Sequence, residues 1–237
     1  MKNLKIGVFA YNWPHYKTQM GLTNLYLSGI NVDHVFMADP VKLKFYKSKI
    51  RVGPKDLYLH NTKDICKSFN FKSSVVNHNS VQCENLIREN NLDLGIILGA
   101  RILKKNIVDS FKIGIINMHP GLLPENRGLD NLKWAVIKEQ KQGVTTHLID
   151  KNIDRGFLID RQEISVYKDD SLVDIHLRLQ AKEQSMMIDA IDKIGKINST
   201  EDLKLLDNGK HYNRSIPEDI EKDFNILFSS YREKYGV

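Results

Sequence analysis

The sequence Leu92-Asp93-Leu94-Gly95-Ile96-Ile97-Leu98 is a nearly continuous apolar run, and Gly114-Ile115-Ile116-Asn117-Met118 is another. Strands that are covered by helices on both faces of a parallel sheet have this composition, whereas half-exposed strands alternate apolar and polar residues. The two runs therefore predict strands of a sheet that is buried on both sides.

Upstream of these runs, strand patterns alternate with helical ones. Three further strands are predicted at Lys5–Ala10, Val32–Met37 and Ser73–Val76, and two helices at Thr18–Leu27 and Val81–Glu89. This alternation is typical of an α/β fold with right-handed crossovers. We therefore predict a Rossmann-like, doubly wound, mostly parallel sheet.

The pattern changes downstream of residue 140. Val144–Ile149 and Phe157–Val166 are predicted strands with no long helix between them, so they should be antiparallel neighbours at one edge of the sheet. A long helix at Ser171–Ile194 and a charged helix at Pro217–Glu233 follow. We predict a main domain over residues 1–197 and a small C-terminal extension over residues 198–237, packed on the core or on a partner subunit.

The composition is that of an ordinary soluble protein, with 41% hydrophobic and 27% charged residues among 237. No apolar run approaches the roughly 20 residues that span a bilayer, so no membrane partner is expected. Two cysteines, Cys66 and Cys83, make neither a disulfide framework nor a zinc motif, and a cytoplasmic protein without a metal is predicted. The net charge of +6 favours anionic partners weakly, and the scattered basic residues do not predict nucleic-acid binding.

The candidate catalytic residues lie where the predicted strand that begins at Gly114 ends. Asn117 and His119 are two residues apart and should point to the same side of that strand. Ligands of open α/β sheets bind beyond the carboxyl ends of the strands, where an amide and an imidazole suit a proton transfer beside an oxyanion. A structural asparagine and a histidine satisfied within the protein are an equally good interpretation of these two residues alone.

A second polar cluster, Asp150-Lys151-Asn152-Ile153-Asp154-Arg155-Gly156, forms a tight turn between two predicted strands. Aspartate and glycine are common in surface turns because they tolerate unusual backbone angles. Taken alone, this segment predicts only such a turn.

Together these segments resemble the folate-dependent formyltransferase family, from Lys5 to about Val166. The resemblance lies in five elements that follow one another in the same order: Asn117-x-His119-Pro120, Leu122-Leu123-Pro124, Arg127-Gly128, Gly143-Val144-Thr145-Thr146-His147 and Asp154-Arg155-Gly156. The segment Leu98-Gly99-Ala100-Arg101-Ile102-Leu103 is similar to the stretch with which that family contacts folate.

The resemblance implies attack of a substrate amine on the formyl carbon of 10-formyltetrahydrofolate, a co-substrate, without a metal. Asn117 would donate to the oxyanion, His119 would carry the amine proton, and Asp154 would hold the imidazole. The resemblance also implies that the folate is contacted by Gly99, Arg101, Ile102, Leu103 and Asp150, with Asp150 in a loop that closes over the pterin. His147, on a strand with an apolar face, is interpreted as structural.

Differences from known members of the family reduce the number of amines that we expect as the acceptor. Tyr11-Asn12-Trp13-Pro14-His15 stands where the glycinamide ribonucleotide enzymes carry a glycine-rich phosphate loop. About forty residues follow the long helix, where methionyl-tRNA formyltransferases carry a β-barrel, and the first strand begins near residue 4, where the hydrolases carry a regulatory domain. From each of these differences, we expect the corresponding branch of the family to be a poorer match to this sequence.

The sugar N-formyltransferases remain as the branch of best fit. The run Pro120–Asp130 with Lys133-Trp134-Ala135, and the tail Gly209–Asp219, are similar to that branch. It implies a homodimer acting on a dTDP-linked 3- or 4-amino-dideoxysugar, a precursor of O-antigen and lipopolysaccharide, with Tyr11, Asn12 and Trp13 contacting the nucleotide or the sugar. Trp13 as a core residue is the plainer interpretation of that side chain.

Two alternatives stay open. The first is a formyltransferase of the same chemistry that acts on methionyl-tRNA or another amine. The second is a folate- or nucleotide-binding module without turnover, which would be expected to lack at least one of Asn117, His119 and Asp154.

Overall fold

A mixed sheet forms the centre of the molecule in the computed structural model, which describes residues 4–41, 48–150, 154–206 and 212–237. Within these residues the sheet has eight strands in the order β3-β2-β1-β4-β5-β6-β7-β8. The strands are β1 Ile6–Tyr11, β2 His34–Ala38, β3 Ser73–Val75, β4 Leu94–Ile97, β5 Gly114–His119, β6 Gly143–Ile149, β7 Gly156–Glu163 and β8 Lys204–Leu205.

Strands β3, β2, β1, β4 and β5 pair in parallel, whereas β6, β7 and β8 continue the sheet antiparallel at the other edge. The helices are α1 Tyr16–Leu27, α2 Thr62–Ser68, α3 Val81–Glu89, α4 Lys105–Val108, α5 Asn131–Ile137, α6 Leu172–Lys196, α7 Glu218–Glu221 and α8 Phe224–Tyr235. The predicted doubly wound, mostly parallel sheet and its antiparallel edge are both confirmed.

Both faces of the parallel strands are buried, which explains their continuous apolar composition. Val8 and Ile116 belong to a core cluster shared with α1 and α6, whereas their neighbours Phe9 and Ile115 belong to a second cluster shared with α3 and α4. Adjacent side chains of a strand point to opposite faces, so consecutive apolar residues are needed wherever helices cover both faces.

The predicted long helix is confirmed as α6, and its start has a clear physical cause. Ser171 accepts from the backbone N–H of Asp174, and the Asp174 carboxylate accepts from the backbone N–H of Ser171. This reciprocal capping satisfies backbone donors that the first turn of a helix otherwise leaves unpaired. The helix then packs on β5, β6 and β7.

The predicted helix over Pro217–Glu233 is wrong in one respect, because it is broken into α7 and α8. The second helix begins at Phe224, and its residues Phe224, Phe228 and Tyr231 all lie in a cluster with α5 and α6. Residues spaced by four and three positions share one helix face, so a helix that starts afresh at Phe224 can present all three rings to the core.

The C-terminal region packs on the core of its own chain in the part that the structure describes. Strand β8 pairs with β7, and Ile216 joins the same cluster as Phe224. The division into residues 1–197 and 198–237 stays a prediction. Among the described residues, no helix is long and apolar enough to cross a membrane.

Candidate active site

The candidate site lies at the carboxyl end of β5, where three neighbouring chain segments meet. Asn117 and His119 lie among the last three residues of β5. In the antiparallel register with β6, Asn117 lies directly opposite His147. Asp154 occupies the connection from β6 to β7, one residue beyond the segment 151–153 that lies outside the described residues.

His119 and Asp154 form a buried pair. The Nδ1 atom of His119 lies 3.3 Å from Oδ1 of Asp154, and the two side chains are 4% and 14% exposed. The other carboxylate oxygen, Oδ2, accepts from the backbone N–H of Gly128 at 2.8 Å. Asp154 itself has a left-handed backbone with φ of 49°, which aspartate tolerates better than most residues.

The environment keeps Asp154 ionised. Burial by itself would raise the pKa of this carboxyl, but the neighbouring His119 and the hydrogen bond from Gly128 outweigh burial, so the pKa lies below its ordinary value. A carboxylate can only accept hydrogen bonds, so it holds the proton of His119 on Nδ1.

Asn117 is oriented by His147, which is completely buried. The Nδ2 atom of Asn117 lies 3.2 Å from Nε2 of His147, and Nδ1 of His147 lies 3.0 Å from the carbonyl oxygen of Arg155. Burial, reinforced by the nearby His119, lowers the pKa of His147 to about 4. The ring is therefore neutral at pH 7, donates from Nδ1 to Arg155, and accepts at Nε2 from Asn117.

This geometry fixes which end of the Asn117 amide is the donor. One N–H of Nδ2 is directed to His147, and the half-buried side chain keeps a second N–H on the same nitrogen. The sequence pattern indicated only a structural role for His147. Its contact with Asn117 depends on the β5–β6 register, which no local pattern reveals.

The loop that follows β5 is held by Thr145 of β6. The Thr145 hydroxyl donates to the carbonyl oxygen of Gly121 at 2.8 Å and accepts from the backbone N–H of Leu123 at 3.0 Å. A Cβ atom on Gly121 would lie 2.7 Å from the carbonyl oxygen of Asn126, which explains why glycine stands there. The shared motif elements around Pro120 and Val144 thus form one packed unit.

The residues predicted to contact folate are spread along the segment after β4. Gly99 is buried against the ring of Tyr11, and Leu103 is part of a core cluster. Arg101 is exposed, and Ile102 is 63% exposed. Asp150 is half-buried, and its backbone N–H donates to the carbonyl oxygen of Arg155 at 3.3 Å.

A cavity of about 560 Å³ opens at the carboxyl ends of β1, β2 and β3. Tyr11, Trp13 and Arg101 line it, so residues predicted for the acceptor and for the folate border the same space. The Tyr11 and Trp13 rings stack with their centroids 4.1 Å apart. The side-chain amide of Asn12 donates to Asp39 at 2.6 Å.

A second cavity, of about 270 Å³, adjoins the candidate catalytic residues. It borders Pro120, the residue after His119, and Asn131, whose amide contacts the His119 ring. The remaining polar lining combines cationic, imidazole, carboxylate and amide groups: His15, Lys17, Asp130, Lys133, His176, Gln180 and Glu183.

One ion pair joins this second cavity to β5. The Lys17 ammonium lies 2.8 Å from the buried Glu183 carboxylate and donates to the carbonyl oxygen of Met118 at 2.8 Å. Met118 stands between Asn117 and His119, so α1 and α6 are both tied to the strand end that carries them. Among the described residues, no group of three or more His, Cys, Asp or Glu side chains could hold a metal ion.

Comparison with known proteins gives a consistent result. The chain matches the family model described as Formyl transferase over residues 39–191, which is more than half of its 237 residues. A methionyl-tRNA formyltransferase from Thermodesulfovibrio yellowstonii is 31% identical over 148 residues, covering 57% of this chain and 47% of that protein. The chain thus spans about half the length of this curated relative.

Two solved structures illustrate the shared fold. A phosphoribosylglycinamide formyltransferase from Anaplasma phagocytophilum matches 90% of this chain and 100% of its own, with a TM-score of 0.65 and 20% identity. The formyltransferase PseJ from Anoxybacillus kamchatkensis, solved with UDP-4,6-dideoxy-4-formamido-L-AltNAc and tetrahydrofolate, matches 84% of this chain and 94% of its own, with a TM-score of 0.55 and 24% identity.

Proposed function

The chain belongs to the formyl transferase family, and we propose that it transfers a formyl group from 10-formyltetrahydrofolate to the amine of a nucleotide-linked amino sugar. The observation that carries this proposal is the arrangement at the end of β5. A half-buried amide donor, Asn117, is fixed by His147 and stands two residues from the buried pair of His119 and Asp154.

Asn117 acts on the oxygen of the formyl group. As the amine adds to the formyl carbon, this oxygen gains negative charge, and the second N–H of the Asn117 amide donates to it. Removal of one such donor typically costs about 100- to 1000-fold in rate. The contact with His147 holds the amide nitrogen, not its oxygen, in place before the charge develops.

The pair of His119 and Asp154 carries the proton. The new bond joins the amine nitrogen to the formyl carbon, the bond from that carbon to the folate nitrogen breaks, and the amine proton passes through the pair to the departing nitrogen. Asp154 is the more exposed member of the pair, and its carboxylate is ionised because its pKa lies below the ordinary value. Proton transfer of this kind contributes about 100- to 10,000-fold.

The two cavities support an acceptor that has both a nucleotide and a sugar. The segment from Tyr11 to Lys17 borders both of them, with Trp13 at the larger cavity and Lys17 at the smaller. A base would lie against Trp13. The phosphates of the ligand would bind beside Lys17 and Lys133, and a sugar hydroxyl would donate to Glu183. The amine of a dTDP-linked 3- or 4-amino-dideoxysugar would then reach the end of β5.

The folate contacts at Gly99, Arg101, Ile102, Leu103 and Asp150 and the homodimer stay predictions. The tetrahydrofolate and the nucleotide sugar bound by PseJ belong to that protein. They support the pairing of substrates proposed for this chain.

Methionyl-tRNA is the second candidate acceptor. The observation in its favour is the 31% identity to a methionyl-tRNA formyltransferase over 148 residues. The chemistry at Asn117, His119 and Asp154 would be the same, and only the acceptor contacts would differ.

Mass spectrometry of acceptor products tests these alternatives. Purified protein is incubated with 10-formyltetrahydrofolate and, separately, dTDP- and UDP-linked 3-amino and 4-amino sugars, glycinamide ribonucleotide and methionyl-tRNA. Tetrahydrofolate without the formyl group is the matched control. A formylated nucleotide sugar is the expected product, formylated tRNA alone would favour the second candidate, and the absence of both product and folate binding would contradict formyl transfer.

A further inference from the structure

A chain of buried asparagine side chains connects the C-terminal segment to His119. The amide nitrogen of Asn213 donates to Oδ1 of Asn126 at 2.8 Å, although the two residues are 87 positions apart. The amide nitrogen of Asn126 donates to the carbonyl oxygen of Asn131 at 2.8 Å. The amide nitrogen of Asn131 in turn lies 3.1 Å from Nε2 of His119.

The backbone of the same segment is bound to the loop that supports Asp154. The N–H of Asn213 donates to the carbonyl oxygen of Arg127 at 2.7 Å, and its carbonyl oxygen accepts from the N–H of Leu129 at 2.9 Å. Gly128 lies between these two bonds and donates to Asp154 at 2.8 Å. A Cβ on Gly128 would lie 2.2 Å from the carbonyl oxygen of Asn213, so only glycine allows this approach.

The Nε2 atom of His119 faces both an acceptor and a donor. The carbonyl oxygen of Asn126 lies 2.8 Å from it, and the amide nitrogen of Asn131 lies 3.1 Å from it. With the Nδ1 proton directed to Asp154, a neutral ring can accept at Nε2 from Asn131. A protonated ring can instead donate from Nε2 to Asn126, so each protonation state has a partner.

We propose that Asn126, Asn131 and Asn213 are positioning residues for His119, so that the C-terminal region contributes to the site through Asn213. The inference rests on the proposed function, because it gives His119 the role of proton carrier. The three amides and His119 are all buried, so the network is shielded from water. Hydrogen bonds in such an interior are stronger than hydrogen bonds exposed to water. Asn213 acts on His119 through the side chain of Asn126, and on Asp154 through its backbone bonds on either side of Gly128.

The other titratable and charged groups that face His119 do not replace this network. Asp154 contacts Nδ1, His147 of β6 is close enough to interact electrostatically with His119, and Arg127 binds the backbone carbonyl oxygen of Asp154. Within the part of the chain that the structure describes, the contacts at Nε2 come from Asn126 and Asn131.

Nitrogen-15 NMR of histidine-labelled protein tests the positioning role directly, because long-range spectra report the protonation of each ring nitrogen. Asn131→Leu removes the amide that donates to Nε2 and to the carbonyl oxygen of Asn126, but it keeps the backbone carbonyl that accepts from the Asn126 side chain. The neutral ring then loses its partner and the protonated ring keeps Asn126, so the Nε2 resonance of His119 should shift. Asn213 lies at the other end of the network from His119, and Asn213→Ala should also shift the Nε2 resonance of His119.

Arg214→Ala is the matched control, because the exposed Arg214 side chain lies next to Asn213, and its backbone carbonyl bond to Trp134 is retained. This variant should leave the His119 spectrum unchanged. Asn131→Leu keeps all contacts of the tail, so it decides the question if Asn213→Ala folds poorly. Spectra of His119 that are the same in wild type and in both network variants would overturn the proposal.

Steady-state kinetics adds a second readout once an acceptor is known. Both network variants should lower kcat about tenfold, which corresponds to one lost hydrogen bond, and leave KM for both substrates unchanged. An unchanged kcat would overturn the proposal. Failure of the wild type to formylate any acceptor would instead contradict the proposed function, and the NMR result would still decide whether the network positions His119.

Discussion

Two regions at the carboxyl edge of the sheet differ in how many of their polar groups already have partners within the protein. At β5 and β6, His119 is 4% exposed, His147 is fully buried, and each ring nitrogen of both has a partner within the protein. At β1, β2 and β3, a cavity of about 560 Å³ is lined by side chains such as Arg101 that are exposed to solvent.

The difference separates chemistry from binding. Groups that stabilise developing charge act best when their orientation is fixed before the reaction, as at the end of β5. Groups that bind a large polar ligand need an accessible surface, as around Trp13. Substitutions in the first region should therefore lower kcat, whereas substitutions in the second should raise KM.

The largest effect is expected at His119. His119→Ala removes the proton carrier and should lower kcat by about 100- to 10,000-fold. The matched control is His60→Ala, at an exposed histidine whose backbone contact to Gln19 is retained. Stopped assays of formylated product measure both.

A second variant decides the question if His119→Ala folds poorly. Asp154→Asn keeps the shape of the side chain and tolerates the same left-handed backbone, but it removes the charge that stabilises the imidazole. It should also lower kcat by at least about 100-fold. Full activity in both well-folded variants would remove His119 and Asp154 from the mechanism.

The next effect is expected at Asn117. Asn117→Ala removes the donor to the oxyanion, so kcat should fall by about 100- to 1000-fold while KM for folate and acceptor stays near that of the wild type. Initial rates over both substrate concentrations separate the two constants. A change confined to KM would place Asn117 among the binding residues and not at the reacting oxygen.

A third prediction concerns stability and the neutral state of His147. Its pKa is about 4 in the folded protein and about 6.5 when unfolded, so protonation favours the unfolded chain as the pH falls from 6.5 to 4. The free energy of unfolding should decrease by up to about 3 kcal/mol over this range. Below pH 4 this contribution is lost, and above pH 6.5 it is fully present.

Urea titrations at several pH values measure this loss. His147→Phe should flatten the dependence, and His60→Phe, at an exposed site, should leave it as in the wild type. Part of the slope will remain in His147→Phe, because burial also lowers the pKa of His15 to about 4. Equal slopes in wild type and His147→Phe would show that the ring is not held neutral.

The smallest effect is expected in the second region. Trp13→Ala removes the surface proposed for the base, and stacking of a base on an aromatic ring is worth about 1 to 3 kcal/mol. KM for the acceptor should rise about tenfold with little change in kcat. Tyr58→Ala, at an exposed ring outside the cavity lining, is the control, and a loss in kcat but not in KM would contradict the division between the two regions.

Much of the fold could be predicted because the determining signals are local. The strand at Gly114 is confirmed because its apolar run is continuous, and the helix Val81–Glu89 is confirmed with the same bounds because Ser80 caps it. The grouping of Asn117, His119 and Asp154 followed from the family resemblance. The structure brings His119 and Asp154 into contact, and their catalytic roles stay predictions.

The remaining features depend on contacts between distant parts of the chain. Nothing near His147 indicates that it will face Asn117, because the sheet register decides it. Asn213 has no local pattern that ties it to Asn126, and helix α5 is only seven residues long, too short for a periodic signal. The break before Phe224 follows from the core that its ring joins.

The most direct measurement of the central claim is the fate of a carbon-13 label in the formyl group. Labelled 10-formyltetrahydrofolate is mixed with the protein and a dTDP-linked amino sugar, and the acceptor mass is followed in wild type and in Asn117→Ala. The account predicts that the label moves onto the sugar amine in wild type and that this transfer nearly vanishes in the variant. Label that stays on the folate, or that appears only as free formate, would contradict it.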